Sequence, residues 1–185
     1  IVMPATLDAR LLYDYFVSNF TCEILGVDSR IHPIEDFYLD DDDENYAQAA
    51  VAKAVEIHKN DEIGDILVFL TDRDEIDLAL NELNKKLEND DSYISLALHE
   101  ELSEEESVPL FQKMPDKRKI IFSTNIAESS ITIHGIKYVV DSGMVKEKLW
   151  DEQRKIQVLK IGQITKTVVQ QRRGRAGAIS SGKVS

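Results

Sequence analysis

Cysteine is nearly absent from this chain. Cys22 is the only one, so no internal disulfide can form, and a lone thiol fits a reducing, intracellular compartment. Long apolar runs are missing too. No stretch of eighteen apolar residues could span a membrane, and no charged-then-apolar leader marks a secretory signal. His32, His58 and His99 are scattered and have no metal-ligand spacing with Cys22, so no metal site is expected. There is no internal repeat, and the only biased tract is a run of five acids at residues 40–44. An initiator methionine is also missing: Ile1 opens the chain inside an apolar, strand-like run, which reads as a piece of something longer.

What is present is enough for one domain with a real core: 185 residues, 43% of them apolar. The net charge of −12 argues against a generic nucleic-acid binder, but the charge is unevenly spread. From Lys113 onward there are 15 Lys/Arg and 6 Asp/Glu, against 7 and 28 before it. The field of the basic half favours a polyanion. A solvated mixed surface would give the same count.

Hydrophobic periodicity predicts strands alternating with helices. Residues 8–19 fit a short helix with Leu11, Leu12, Tyr15 and Phe16 on one face, and residues 22–27 and 34–39 read as extended. The acids at 40–44 suit a solvated loop and the N-terminus of a helix over 46–58. D-I-L-V-F-L at 65–70 is continuously apolar, as a strand covered on both faces must be. A helix over 74–88, a strand over 93–98, a capping box of Ser103 and Glu106, and strands over 119–123 and 137–141 follow. Residues 144–164 break the rhythm with two alternating stretches, a hairpin thrown out of the sheet. The pattern implies an α/β fold, a doubly wound and mostly parallel sheet flanked by helices.

Two stretches carry chemistry. Q-R-R-G-R-A-G at 171–177 is dense in guanidinium groups, which bring planar, permanent positive charge against a phosphoryl group. S-T-N-I-A-E-S-S-I-T-I at 123–133 follows a strand, and Thr71 follows another. Ligands of such sheets gather at the carboxyl ends of strands, where hydroxyls and backbone N–H groups can hold phosphate oxygens. Together they suggest nucleoside triphosphate chemistry coupled to a polynucleotide.

These motifs, in this order, give the chain its resemblance: it is similar to the second RecA-like domain of a DEAH-box (DEAH/RHA) RNA helicase of superfamily 2. M-P-A-T-L-D at 3–8 resembles the end of motif III, and Arg30, Pro33, Ile34, Phe37 and Tyr38 the segment joining the two RecA-like domains. Residues 64–77 resemble motif IV, 123–133 motif V, 138–148 the approach to the family's β-hairpin, and 171–177 motif VI. The implied organisation is the tail of a first RecA-like domain at 1–20, a connector and entry strand at 21–44, and the second RecA-like domain at 45–185, with the hairpin at about 144–164.

The resemblance implies roles by position. Arg175 would be an arginine finger, Gln171 would hold the attacking water or γ-phosphate, and Arg172 would support their loop. Ser130 would sense nucleotide state, Phe111 would stack on the base, and His134 stands where an aspartate commonly touches the ribose. Thr71, Thr124 and Asn125 would contact or brace the nucleic-acid backbone, and Lys146 and Lys148 on the hairpin would lie near phosphates. Phe111 also reads as a core residue of a helix, the two lysines as an exposed face, and Trp150 as hairpin packing or a stacking surface. ATP with Mg²⁺ is implied, the metal held mainly by a first RecA-like domain, because this chain has neither a G-x-x-x-x-G-K-[S/T] loop nor a D-E-A-H run. Implied partners are single-stranded RNA, the first RecA-like and C-terminal domains of a parent protein, and an activating protein, with no membrane. The nucleus is preferred over the cytoplasm. Three departures stand out: Ala178 in place of a second motif VI arginine, Pro4 in place of the motif III serine, and His134. They leave open a non-catalytic, RNA-binding scaffold, and DNA remains an alternative substrate.

Overall fold

Alternating apolar strands and amphipathic helices build one parallel sheet with a ribbon projecting from it. The computed structural model describes residues 9–24, 34–37, 45–129, 131–152, 154–176 and 182–184. Pro4, Ser130, Ala178 and the acidic run at 40–44 lie outside the described residues. In chain order the elements begin with α1 (Ala9–Val17), β1 (Ile34–Asp36), α2 (Tyr46–Asn60), β2 (Asp65–Phe69), α3 (Arg73–Lys86) and β3 (Tyr93–Leu98). There follow α4 (Glu104–Phe111), β4 (Arg118–Ser123), a 3-10 helix (Asn125–Glu128) and β5 (Ile136–Asp141). The chain then forms β6 (Met144–Asp151), β7 (Ile156–Gln163), α5 (Lys166–Gly174) and β8 (Gly182–Val184).

Six strands pair in the order β1-β8-β5-β2-β4-β3, every pair parallel. Strand β2 sits between β5 and β4, with Val68 opposite both Val140 and Phe122. Because side chains alternate across a strand, β2 feeds two cores. Ile66 and Val68 join Ala50, Val51 and Ala54 of α2 and Ile76 and Leu83 of α3 on one face. Leu67 and Phe69 join Leu110 of α4, Ala127 and Ala176 on the other. This is the doubly wound arrangement, and it explains why D-I-L-V-F shows no polar alternation. Each fully buried Leu, Ile, Val or Phe contributes about 1.5–3 kcal/mol by leaving water.

Local signals end the elements. Asp72 caps α3 by accepting from the Glu75 N–H at 3.0 Å, and Ser103 with Glu106 closes the reciprocal capping box at α4. The expected apolar face of α1 is not covered at Tyr15, which is 72% exposed. Three elements go beyond the sequence reading: helix α5, the 3-10 helix, and the short strand β8, which pairs between β1 and β5.

Gly135 is required by both its conformation and its surroundings. Gly135 has φ +97°, and a β-carbon there would stand 2.8 Å from Asp65 Oδ2, while its carbonyl accepts from the Asp65 N–H at 3.0 Å. Gly135→Ala is therefore expected to lower stability by about 1–3 kcal/mol, read from the urea midpoint. A midpoint equal to the wild type would contradict this account.

Candidate nucleotide and nucleic-acid site

The carboxyl ends of β2 and β4 form one rim. Leu70 N–H donates to the Ser123 carbonyl at 2.8 Å, which brings Thr71 and Thr124 to the same edge of the sheet. Both threonines are buried, whereas Asn125 is exposed. The Thr71 N–H donates to Glu75 Oε2 at 3.1 Å. Thr124 caps the 3-10 helix, accepting from the Ile126 N–H, and its hydroxyl donates to Glu100 Oε1 at 3.1 Å. So the two threonines shape the rim from below, and Asn125 faces outward from it.

Helix α5 divides the three arginines of Q-R-R-G-R-A-G among three tasks. Residues three apart share a helix face. Arg172 and Arg175 both turn toward the segment after β4, and Arg173 turns away. Arg172 is completely buried: Nε donates to Glu128 Oε1 at 2.9 Å, Nη1 to Asp141 Oδ1 at 2.7 Å, and the guanidinium lies 4.7 Å from the Phe69 ring centre. That position suits bracing and leaves no surface for a ligand. Arg175 is half-buried and among the described residues reaches backbone alone, with Nε donating to the Glu128 carbonyl at 2.9 Å and Nη1 to the Ile131 carbonyl at 3.2 Å. Burial pulls its pKa down from the usual arginine value, against the opposing pull of the Glu128 charge. Arg173 Nε pairs with Asp36 Oδ1 at 2.7 Å and ties α5 to the edge strand β1. Gln171 stands half-buried on the same helix.

At the opposite ends of the strands lie two more predicted residues. Phe111 ends α4 and is 49% exposed, so it is not the core residue that a helical phenylalanine could have been. His134 is exposed, one residue before Gly135 and two before β5. Between them runs a buried pair that sequence reasoning missed. Lys119 Nζ lies 3.3 Å from Asp65 Oδ2 and donates to the carbonyls of Leu110, at 2.9 Å, and Gln112, at 3.3 Å. Burial raises the Asp65 pKa, and the Lys119 N–H and ammonium pull against it. The signal was there in K-R-K-I-I-F, where a charged residue enters an all-buried strand.

The ribbon β6–β7 is antiparallel, with Met144 opposite Gln163 and Asp151 opposite Ile156. Lys146, Lys148, Trp150, Leu159 and Ile161 share one face by register. Lys146 Nζ binds Asp72 Oδ2 at 2.7 Å, which fastens the root of the ribbon to the start of α3. Burial would raise the Asp72 pKa, but Lys146 and the helix N–H groups lower it overall. Lys148 is exposed and Trp150 is 60% exposed, so Trp150 does not pack into the ribbon's root. No group of three or more His, Cys, Asp or Glu is placed to hold a metal among the described residues. No described helix is long and apolar enough to cross a membrane.

A parallel, doubly wound lobe with an arginine-bearing helix laid against the loop after β4 is the architecture of a helicase lobe. The helicase conserved C-terminal domain matches residues 48–180, and the chain belongs to that family, as a second RecA-like domain of the DEAH/RHA type. It is 41% identical over 192 residues to the Arabidopsis thaliana protein named ATP-dependent RNA helicase DEAH12, chloroplastic, covering 99% of this chain and 10% of that protein. It is 40% identical over 188 residues to mouse ATP-dependent RNA helicase DHX33, covering 98% of this chain and 26% of that one. The crystal structure of the Escherichia coli DEAH/RHA helicase HrpB superposes with a TM-score of 0.83 at 27% identity, over 97% of this chain and 22% of that one. The chain thus spans between a tenth and about a quarter of the length of these relatives.

Proposed function

We propose that this chain is the second RecA-like lobe of an ATP-dependent RNA helicase, in which ATP hydrolysis drives movement along RNA. The observation that carries the reading is the double grip of α5 on the segment after β4. Arg172 holds the Glu128 side chain and Arg175 the Glu128 and Ile131 carbonyls. One helix therefore grips the segment assigned to RNA and carries at its end the residue assigned to the terminal phosphate. A change at either is felt by the other through these bonds.

In this mechanism Arg175 exchanges its backbone carbonyls for the γ-phosphoryl group as a first RecA-like domain closes, and opposes charge that develops on the departing oxygens. Gln171 orients the attacking water, and Arg172 keeps α5 in place without touching substrate. Phe111 stacks on the base, His134 donates toward the ribose, and Ser130 reports the nucleotide state. Asn125 and the rim shaped by Thr71 and Thr124 hold the RNA backbone, with Lys148 and, once released from Asp72, Lys146 adding charge along the ribbon. Mg²⁺ would accompany ATP, held mainly by residues of a first RecA-like domain, and would neutralise charge on the phosphates. The lobe occupies residues 45–185, with 1–20 and 21–44 as the end of the preceding lobe and the connector.

Because this lobe supplies half a site, residues 1–185 alone are expected to show no RNA-stimulated ATPase, while the parent protein shows it in a steady-state phosphate-release assay. ATPase in the isolated lobe would overturn the half-site reading. Ala178, Pro4 and His134 favour a second reading, a non-catalytic RNA-binding scaffold. Parent protein that binds RNA but does not hydrolyse ATP would establish that one instead.

A further inference from the structure

We propose that the buried pair Asp65–Lys119 is a positioning device for the nucleoside: it fixes Phe111 against the base and sets the place of His134 beside it. The proposal rests on the stacking role given to Phe111 above. Lys119 is a cation placed inside an all-buried strand, its side chain 4% exposed, which is costly unless the ammonium is fully used. Its donors go to three places: the Asp65 carboxylate, the Leu110 carbonyl and the Gln112 carbonyl. Those carbonyls flank Phe111. The last carbonyls of a helix have no partner within it, and a cation there is favoured by the helix dipole. So Lys119 pins the final turn of α4 from beneath and leaves the Phe111 ring half in solvent.

Asp65 works on both sides. Its Oδ1 accepts from the Lys119 N–H at 2.8 Å and its Oδ2 faces the ammonium. Its own N–H donates to the Gly135 carbonyl, next to His134, and its carboxylate fills the space where a β-carbon at 135 would sit. One residue therefore joins the two segments: its carboxylate holds Lys119 beneath the ring, and its main-chain N–H holds Gly135 beside the imidazole. Neither Asp65 nor Lys119 is placed to touch a ligand, so each acts through its neighbours.

The test compares KM for ATP with KM for ribose 5′-triphosphate, which lacks the base, in the full-length protein. Phe111→Ala is expected to raise the KM for ATP by about tenfold and leave that for the base-free triphosphate unchanged. Lys119→Met is expected to shift the same ratio by about three- to tenfold with kcat nearly constant, and to add little on top of Phe111→Ala. If Lys119→Met gives too little folded protein, Lys119→Gln, which still donates to one carbonyl, should move the ratio part of the way. A normal ratio in the Lys119 variants alongside a shifted one in Phe111→Ala overturns this proposal and spares the stacking role. An equal rise for both triphosphates in the Lys119 variants shows a merely structural pair and also overturns it. An unchanged ratio in Phe111→Ala removes the stacking role and this proposal together.

Discussion

Arg175→Ala in the parent protein is expected to lower RNA-stimulated ATP turnover by on the order of 10³-fold. RNA affinity, measured by fluorescence anisotropy without nucleotide, is expected to change little. The reason is what the guanidinium touches. Among the described residues its partners are two backbone carbonyls of the loop after β4, at Glu128 and Ile131, and it is half-buried at that edge. It engages no carboxylate among the described residues, so moving to a phosphoryl group breaks no side-chain ion pair with them. The Ala variant also leaves those carbonyls short of a donor, which costs about 1–3 kcal/mol of stability. Arg175→Lys separates the effects: it keeps the charge but loses the planar fork, and turnover should still fall steeply. A large fall in RNA binding with turnover intact would sink the assignment.

Arg172→Met is expected to act on stability instead. Removing the cation strands Glu128 and Asp141, whose side chains are 13% and 12% exposed, without their shared partner. Breaking a buried ion pair from one side costs about 3–5 kcal/mol, a large share of a domain's total, and the urea midpoint should fall accordingly. The variant should also loosen the loop after β4, since Glu128 is held by this residue's Nε at 2.9 Å. An unchanged midpoint would show that the buried pairs of Arg172 contribute nothing net and that the other contacts of α5, such as Arg173 with Asp36, suffice to hold it.

The two expectations rest on α5, and α5 is the element that the sequence concealed. K-T-V-V-Q-Q-R-R-G has two half-buried valines, and the largest side chain on its inward face is a charged one. A search for apolar residues at helical spacing passes over a buried arginine. The cap signal was legible, because Thr165 accepts from the Val168 N–H as a threonine before a helix does. With the helix in hand, the three-residue spacing of Arg172 and Arg175 puts both on one side, and their separate tasks follow. Strands β2, β4 and β5 were readable because burial on both faces leaves apolar runs at 66–69, 120–122 and 138–140, and the half-buried edge strand β3 because Tyr93, Ile94, Leu96 and Leu98 make it mostly apolar. Strand β8 was not, since G-K-V is too short to show any period. The Asp65–Lys119 pair escaped for a related reason: sequence shows a lysine beginning a strand, and only the return of α4 reveals carbonyls waiting for it.

The fastening of Lys146 to Asp72 has a mechanical consequence. The ribbon is tied to the lobe at its base by this ion pair, so its root turns with the lobe. At roughly 3.3 Å per residue its eight-residue strands extend about 26 Å. Any tilt of the lobe is thus magnified at the tip, as by an oar fixed in its rowlock, and a strand lying across that tip would be pushed farther than one lying at the pivot.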